Sequence, residues 1–557
     1  VRGEPTVTGG RRFALEDGGD IAKLVAGLEQ RAPFEREPDR TFERTAYDTF
    51  DWRLHAEGTV LEDELVIGGS PPRKADAPVV RRLLWRSTDT GEVLGRVAVD
   101  KVPTFAWDLP GGAMADRLAS ILEMRALRRL VTVHVEQISL RLLDGEGKTE
   151  ARVLITQGRV PGAEKPLTPV VEVVPVRGYP RAAARVTELL AAQVMLRPVE
   201  RGVIGEALAL AGLHPGDYRS KLGLRLDPAD HALDAVVAVL QALLATMAVN
   251  EPGTRDDLDS EFLHDYRVAV RRTRSVLGMA KGVVPGPLLD HLRREFRWLG
   301  DITTPTRDFD VYLLTYPQFE ARLPDSLRAD LRPLHSFLVE RQRRAHAQLV
   351  GDLDSSRYAA LLDRYQTWLA EPRRDTGATD AVRVPDAERP AAEFAAARTW
   401  KAYRGLVKDG RRITHDSPPE SLHDLRKDAK KLRYALECFG SLFPAEGIRP
   451  LVKELKGVQD VLGEFQDCEV QKGSLHGFGI DMVAEAGAGS APALMAMGYL
   501  IEQIDERERV ARGQFAERFG RFDAHRNRKR FRRLFGPQSA ARIDNRTDES
   551  RATGDDA

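Results

Sequence analysis

An internal repeat in constant register constrains this chain more than any of its other properties. His264-Asp265-Tyr266-Arg267-Val268-Ala269-Val270-Arg271-Arg272-Thr273-Arg274 returns 159 positions later as His423-Asp424-Leu425-Arg426-Lys427-Asp428-Ala429-Lys430-Lys431-Leu432-Arg433. The register holds without a gap, with Glu295-Phe296-Arg297 falling on Glu454-Leu455-Lys456, Asp301 on Asp460, Asp308 on Asp467 and Val311 on Val470. One structural unit is used twice. Within each copy the histidine and the bases at offsets +3, +7 and +10 share one face of a helix, because a turn of about 3.6 residues brings those positions into line.

Such a face is costly for a helix that needs only to be soluble. Like charges three or four residues apart destabilise by roughly 0.2–0.5 kcal/mol per pair. Two such stripes facing each other at ~6 Å, with an effective dielectric of ~20, repel by roughly 2.8 kcal/mol per pair of unit charges. A polyanion reverses that sign. A lone Arg-rich helix reads first as a solvated basic face, but a surface that is merely wet has little reason to keep one histidine, one acid and four bases in the same order twice. The pair therefore points to a bound anion.

The 557 residues correspond to roughly three to four domain-sized units, enough for sizeable cores. Lys plus Arg and Asp plus Glu both number 84, so no global field draws the chain to nucleic acid or to a membrane, and anion affinity must be local. The two cysteines, Cys438 and Cys468, argue against a disulfide framework or a cysteine zinc site; they fall on Met279 and Phe309 in the repeat and read as buried filler. The first twenty residues show no apolar run behind a basic start, so a cytoplasmic location is expected. Ala235 to Val249, the most apolar run, is interrupted by Gln241 and reads as a buried helix rather than a membrane span.

Up to about residue 200 the pattern is mixed. Val131 to Glu136, Ala151 to Thr156 and Val170 to Val176 read as strands, and Ile21 to Leu28, Met114 to Leu130 and Ala182 to Leu196 as helices. That is an α+β domain with a largely antiparallel sheet, in which the charged, proline-interrupted Arg31 to Arg44 is expected as a loop. From Asp230 onward the chain is almost wholly helical. Ser417-Pro418-Pro419-Glu420 predicts a serine-capped helix start for the second copy, and Asp257 or Asp259 the cap of the first. Each copy continues with a second basic pair, Arg294 and Arg297 or Lys453 and Lys456, and four helices per half is the simplest count. Glu371 to Pro390 is expected as a mobile linker and Gly536 to Ala557 as a disordered polar tail.

The tandem histidine-led basic helices, with Arg307-Asp308-Phe309-Asp310 and Gln466-Asp467-Cys468-Glu469 beginning 43 residues after each histidine, resemble the CHAD family, the conserved-histidine α-helical domain, over about residues 222 to 535. The resemblance implies an all-α domain of two helical bundles (about 222–370 and 391–535) related by a pseudo-twofold axis around a basic groove that binds inorganic polyphosphate. Carried over, the binding positions are His264, Arg267, Arg271 and Arg274 with His423, Arg426, Lys430 and Arg433; Arg272, Lys427 and Lys431 extend the same positive wall, and Arg294, Arg297, Lys453 and Lys456 supply the second basic pairs. The physical reading agrees, since a strand of phosphates with no bases to read is matched by a ladder of Arg and Lys, with Arg giving bidentate contacts. The histidines either donate to phosphate oxygens when protonated or bond structurally across the interface between halves.

The first 5–200 residues resemble, more weakly, the CYTH family of triphosphate tunnel enzymes, which implies a multidomain chain opening on an antiparallel α+β barrel, joined through a linker at 201–221 to the helical domain. That family begins on Glu-x-Glu-x-Lys followed by an aromatic. Here the segment is Thr8-Gly9-Gly10-Arg11-Arg12-Phe13, and both glutamates are absent. Tyr47-Asp48-Thr49, Arg53-Leu54 and Gly58-Thr59-Val60-Leu61 fit the later regions, but Glu62-Asp63-Glu64 stands where a basic pair belongs. A two-metal phosphoryl site would lack its ligands, so the barrel is expected to be degenerate and catalytically inactive. His134, Glu136, Arg141, Arg152 and Glu172 either line it or form an ordinary polar strand face.

No Walker loop, no His-Glu-x-x-His and no serine-nucleophile motif occurs, and Gly487-Ala488-Gly489-Ser490 reads as a loop. His291, His346, His415 and His525 sit among arginines rather than carboxylates. The leading expectation is a non-enzymatic, cofactor-free and metal-free polyphosphate-binding protein of open oligomeric state. The alternatives are a CYTH-type metal-dependent triphosphatase and a nucleic-acid module. The last is disfavoured because single-strand readers supply stacking aromatics, and only Tyr266 and Tyr434 flank the stripes.

Overall fold

The computed structural model describes residues 12–16, 19–68, 81–176, 178–199, 202–218, 220, 222–371 and 384–537. Most of the opening segment at 8–11, the centre of the expected linker at 372–383 and the expected tail at 538–557 lie outside the described residues. The chain divides into two compact units, meeting in sequence at Ser220 and Lys221.

The first unit is built on ten strands: β1 (Arg12–Leu15), β2 (Phe34–Arg36), β3 (Arg40–Asp48), β4 (Thr59–Gly68), β5 (Arg81–Ser87), β6 (Val93–Ala98), β7 (Arg128–Leu143), β8 (Thr149–Arg159), β9 (Val170–Pro175) and β10 (Leu196–Pro198). Five helices accompany them: α1 (Ile21–Arg31), α2 (Arg53–Ala56), α3 (Ala113–Leu122), α4 (Pro180–Ala191) and α5 (Val203–Leu210). Every strand pairing is antiparallel, in the order β10-β1-β9-β8-β7-β3-β4-β5-β6, with β2 alongside β7.

The expected barrel is not formed. Among the described residues β10 and β6, at the two ends of the path, each have one hydrogen-bonded neighbour, so the sheet is open. The sheet curls far enough for side chains to cross the gap that backbone ladders do not: Arg12 on β1 donates from Nη1 to the carbonyl of Thr88 at 2.5 Å, beside its ion pair with Glu172 at 3.2 Å. Two edges cannot be zipped where β10 is only three residues long and ends on a proline that has no N–H to give.

Two further expectations change. Arg31 to Arg44 is not a loop but carries β2 and the start of β3, because its charged side chains find partners on β4, β7 and β8: Arg44 with Glu62 and Glu64, Glu35 with Arg141, and Glu37 with Arg152. Met114 to Leu130 is helical only to Leu122, and β7 begins at Arg128. The stretch expected as linker contains α5, which packs on β7 and β8.

The second unit is all-α: α6 (Ala232–Arg255), α7 (Ser260–Met279), α8 (Gly286–Ile302), α9 (Thr304–Arg322), α10 (Asp325–Arg328), α11 (Arg332–Leu353), α12 (Ser356–Ala370), α13 (Ala391–Gly410), α14 (Pro419–Phe439), α15 (Ala445–Ala486), α16 (Ala491–Phe522) and α17 (His525–Phe535). The repeat reaches further back than the histidines, since α6 and α13, like α7 and α14, start one repeat length apart. The 42-residue α15 covers the span that α8 and α9 share in the first half, where Thr303 and Pro305 break the rod. Each half therefore has five principal helical elements rather than four.

The halves do not form separate cores. One cluster takes Val236, Tyr266, Phe296 and Tyr365 from the first half together with Phe394, Leu432, Phe465 and Phe531 from the second, and another joins Tyr312, Phe319 and Leu338 to Leu475, Met497 and Ile504. α6 is long and apolar enough to cross a bilayer, yet Ala235, Val236, Val239, Leu240 and Leu243 are buried inside this bundle.

Candidate anion site on paired helices

Alternation of apolar and basic positions fixes how α7 and α14 sit. Phe262, Leu263, Tyr266, Ala269, Val270, Val276 and Leu277 recur at helical spacing and are buried, as are Leu422, Leu425, Ala429, Leu432 and Leu436 on α14. The basic stripe of each helix is thereby turned to one flank. α7 starts on Asp259, whose carboxylate accepts from the amides of Glu261 and Phe262. The serine cap expected for α14 is absent: Ser417 Oγ instead accepts from the amide of Thr414 at 2.8 Å, and the helix begins behind Pro418.

α7 and α14 pack against each other. His264, Arg267, Arg271, Arg274, His423, Arg426, Lys430 and Arg433 are all half-buried, which a merely solvated face would not require. Most of the outer members of the stripes have internal partners. Arg267 Nη1 donates to the carbonyl of Gly300 (3.2 Å) and to the hydroxyls of Thr303 (2.6 Å) and Thr304 (3.0 Å), closing the break between α8 and α9. Its equivalent Arg426 pairs with Asp467 at 3.1 Å. Arg274 lies over Gly300, where a Cβ would come within 2.6 Å of its Nη1; the equivalent of that glycine is Gln459, which accepts from Arg433 at 3.3 Å. The repeat thus keeps each arginine and changes how it is seated.

Glu437 ties the halves together. It accepts from Arg272 on α7 at 3.1 Å and from Arg433 on its own helix. Arg272 is therefore an interface residue rather than part of an open wall, while Lys427 and Lys431 are exposed and pair with Asp424 (3.0 Å) and Asp428 (2.8 Å) one turn back. Arg294, Arg297, Lys453 and Lys456 are exposed on α8 and α15, outside the packed stripes.

At the centre of the two stripes stand Arg271 and Lys430, equivalent positions of the repeat. Neither forms an ion pair among the described residues, and Arg271 Nε is buried with no hydrogen-bond partner there. Burial first, then the charges of Arg426 and Arg271, pushes the Lys430 ammonium down to about 8. Burial, followed by Arg271, likewise lowers the Arg267 guanidinium to about 10. Burial holds the carboxyls of Asp308 and Asp467 above the usual range despite Arg267 beside the first and Arg426 and Lys430 beside the second.

His423 Nδ1 is hydrogen-bonded to Oε1 of Gln466 on α15, within its own half. The equivalent of Gln466 is Arg307, a donor only, whose Nη1 donates a hydrogen bond to the carbonyl of Ser260 at 2.9 Å. Tyr266 is fully buried, its hydroxyl 2.8 Å from that of Tyr358, and so offers no ring to a base. The partners Thr303, Thr304, Glu437 and Gln459 were not foreseen from sequence; only Glu437, one turn beyond Arg433, carried a local signal.

The strand residues do not converge on one site. His134 meets Glu43 at 3.3 Å, Arg141 pairs with Glu35 and Glu37, and Arg12 takes Glu172. Glu62, Asp63 and Glu64 are neutralised by Arg44, Arg86 and Arg81. Among the described residues no group of three or more His, Cys, Asp or Glu side chains is placed to hold a metal ion. Cys438 and Cys468 are buried free thiols, pushed up by burial to about 12 and about 11.

Residues 238–476 match the family model described as the CHAD domain, so the chain carries that domain. An uncharacterized protein of Mycobacterium tuberculosis, Rv2226, is 27% identical over 272 residues, 48% of each chain, and this chain therefore spans about half the length of the curated relatives it matches. Among solved structures, the CHAD domain from the plant Ricinus communis is 26% identical, with a TM-score of 0.46 over 54% of this chain and 96% of that one. PptA from Streptomyces chartreusis is 18% identical, with a TM-score of 0.39 over 52% and 99%.

Proposed function

With a CHAD domain as the premise, we propose that the helical unit binds inorganic polyphosphate along the paired stripes of α7 and α14, with no catalytic step. One observation carries the reading: Arg271 and Lys430, equivalent in the repeat, are half-buried beside each other's charge and form no ion pair among the described residues, the carboxylate of Asp467 acting on Lys430 from beyond ion-pair distance. Water pays poorly for such an arrangement, whereas successive phosphates of one strand would neutralise both cations and join the array of Arg267, Arg274, Arg426 and Arg433. His264 and His423 flank the array, and Arg294, Arg297, Lys453 and Lys456 would extend its field. On this reading the protein works in the cytoplasm beside polyphosphate granules.

Affinity for long-chain polyphosphate should fall with salt, log K against log salt having a slope of roughly 0.7–0.9 per phosphate contact by analogy with nucleic acids. Excess single- or double-stranded nucleic acid should fail to displace it at physiological salt. Displacement at stoichiometric nucleic acid would favour the nucleic-acid reading instead.

A pH dependence follows from Lys430. Only its protonated form attracts phosphate, and the free protein loses that proton as pH rises through about 8. Affinity should therefore be level below pH 7 and decline above pH 8 by up to about tenfold per unit, with proton uptake on binding. Calorimetry in buffers of different ionisation enthalpy reads the uptake. Lys430→Arg should abolish both effects, and a persistent decline in that variant would place the titrating group elsewhere.

A further inference from the structure

The two halves differ where their second basic pairs lie. In the first half Glu295 accepts from Arg357 at 2.7 Å, and that guanidinium lies 4.2 Å from the ring centroid of Trp298, closing the surface. In the second half Arg526 pairs with Glu454, the equivalent of Glu295, at 3.1 Å, but the equivalent of Trp298 is Gly457. An added Cβ there would meet nothing closer than Arg518 Cδ at 4.0 Å. The missing indole leaves a cavity of about 390 Å³ between α15, α16 and α17, lined by Lys453, Glu454, Gly457, Arg518, Arg521 and Arg526.

Four cations surround one carboxylate in that cavity. Among the described residues Lys453 and Arg518 have no ion pair, and Arg521 is held only by exposed Glu517. The volume falls in the range of small-molecule sites. The adjoining cleft, which shares Gly457 and Arg518, presents Asp460 and Glu506 beside Glu464, which is paired with Arg507. A long anionic strand leaving the cavity on that side would run into carboxylates, whereas a compact one would not. The cavity is also on a different face of α15 from the stripes: Gln459, two residues on, bonds to the carbonyl of Ala429 on α14, while Gly457 faces α16.

We propose that this cavity is a second anion site, taking a compact, multiply charged phosphate of the oligophosphate class, created in the second half by the loss of the aromatic that seals the first. The proposal stands on the repeat and on the cavity lining, apart from the assignment of the stripes.

The test is calorimetric titration of the full chain with inorganic tripolyphosphate and, separately, with long-chain polyphosphate. Gly457→Trp should cut tripolyphosphate affinity at the cavity by at least tenfold and leave long-chain binding within about twofold. Arg518→Gln with Arg521→Gln, two exposed substitutions that lose only the surface pair of Arg521 with Glu517, should do the same and guards against a folding defect in the first variant. Arg271→Glu with Lys430→Glu should show the converse, losing the long chain and keeping tripolyphosphate. No tripolyphosphate binding by the unsubstituted protein, or binding that survives both cavity variants and vanishes with the stripe variant, overturns the second site while leaving the first assignment standing.

Discussion

Replacing Arg271 and Lys430 together by glutamate should remove measurable binding of long-chain polyphosphate. Each charge-assisted contact is worth roughly 1.5–3 kcal/mol, so losing two costs about 3–6 kcal/mol, or roughly 10²- to 10⁴-fold, before the new repulsion is counted. The single variants separate binding from folding. Arg271→Glu sets a carboxylate beside Lys430 in place of a like charge, so it should weaken binding and raise the melting temperature at the same time. A loss of affinity accompanied by a loss of stability would mean that Arg271 is a structural cation. Arg271→Lys with Lys430→Arg, which keeps both charges, should bind nearly as the parent does. Unchanged affinity in the double glutamate variant would reject the stripes as the binding surface.

Glu437→Ala should have effects of opposite sign on stability and affinity. The carboxylate joins Arg272 of the first half to Arg433 of the second, and the Arg272 side chain is only 13% exposed. Taking the acceptor away should lower stability by about 1–3 kcal/mol, the range for a hydrogen-bonded charge left without its partner and partly solvated. The same change removes a negative charge from the wall and releases Arg433, so polyphosphate should bind several-fold more tightly and should raise the melting temperature more in the variant than in the parent. Chemical denaturation and calorimetry measure the two quantities independently. A fall in both would show that the bridge organises the site and does not compete with the ligand.

The sequence made the stripes legible because they rest on local geometry. A helical turn places offsets 0, +3, +7 and +10 together whatever the helix packs against, and the duplicated order of His264 to Arg274 and His423 to Arg433 marks one face twice. The caps were only half legible: Asp259 was one of two candidates, and Ser417 was spent on the Thr414 amide because two prolines shifted the helix start. Arg31 to Arg44 looked like a loop because it is charged and interrupted by two prolines, but several of its charges find partners on β4, β7 and β8, distant in sequence.

What the chain's own order determined is the all-helical character of its second part and the two equivalent basic faces. Whether the first sheet closed was not determined that way, because closure depends on how far ten strands curl and on two edges meeting, and here side chains such as Arg12 span a gap that no ladder crosses. Nor was it determined which cations keep a counter-ion. Arg272 and Arg426 found acids supplied by packing and Arg433 one on its own helix, while Arg271 and Lys430 have no acid within ion-pair distance among the described residues. Charge spacing is written along a helix, but neutralisation depends on what a second helix brings within 4 Å, and only the packed bundle decides that.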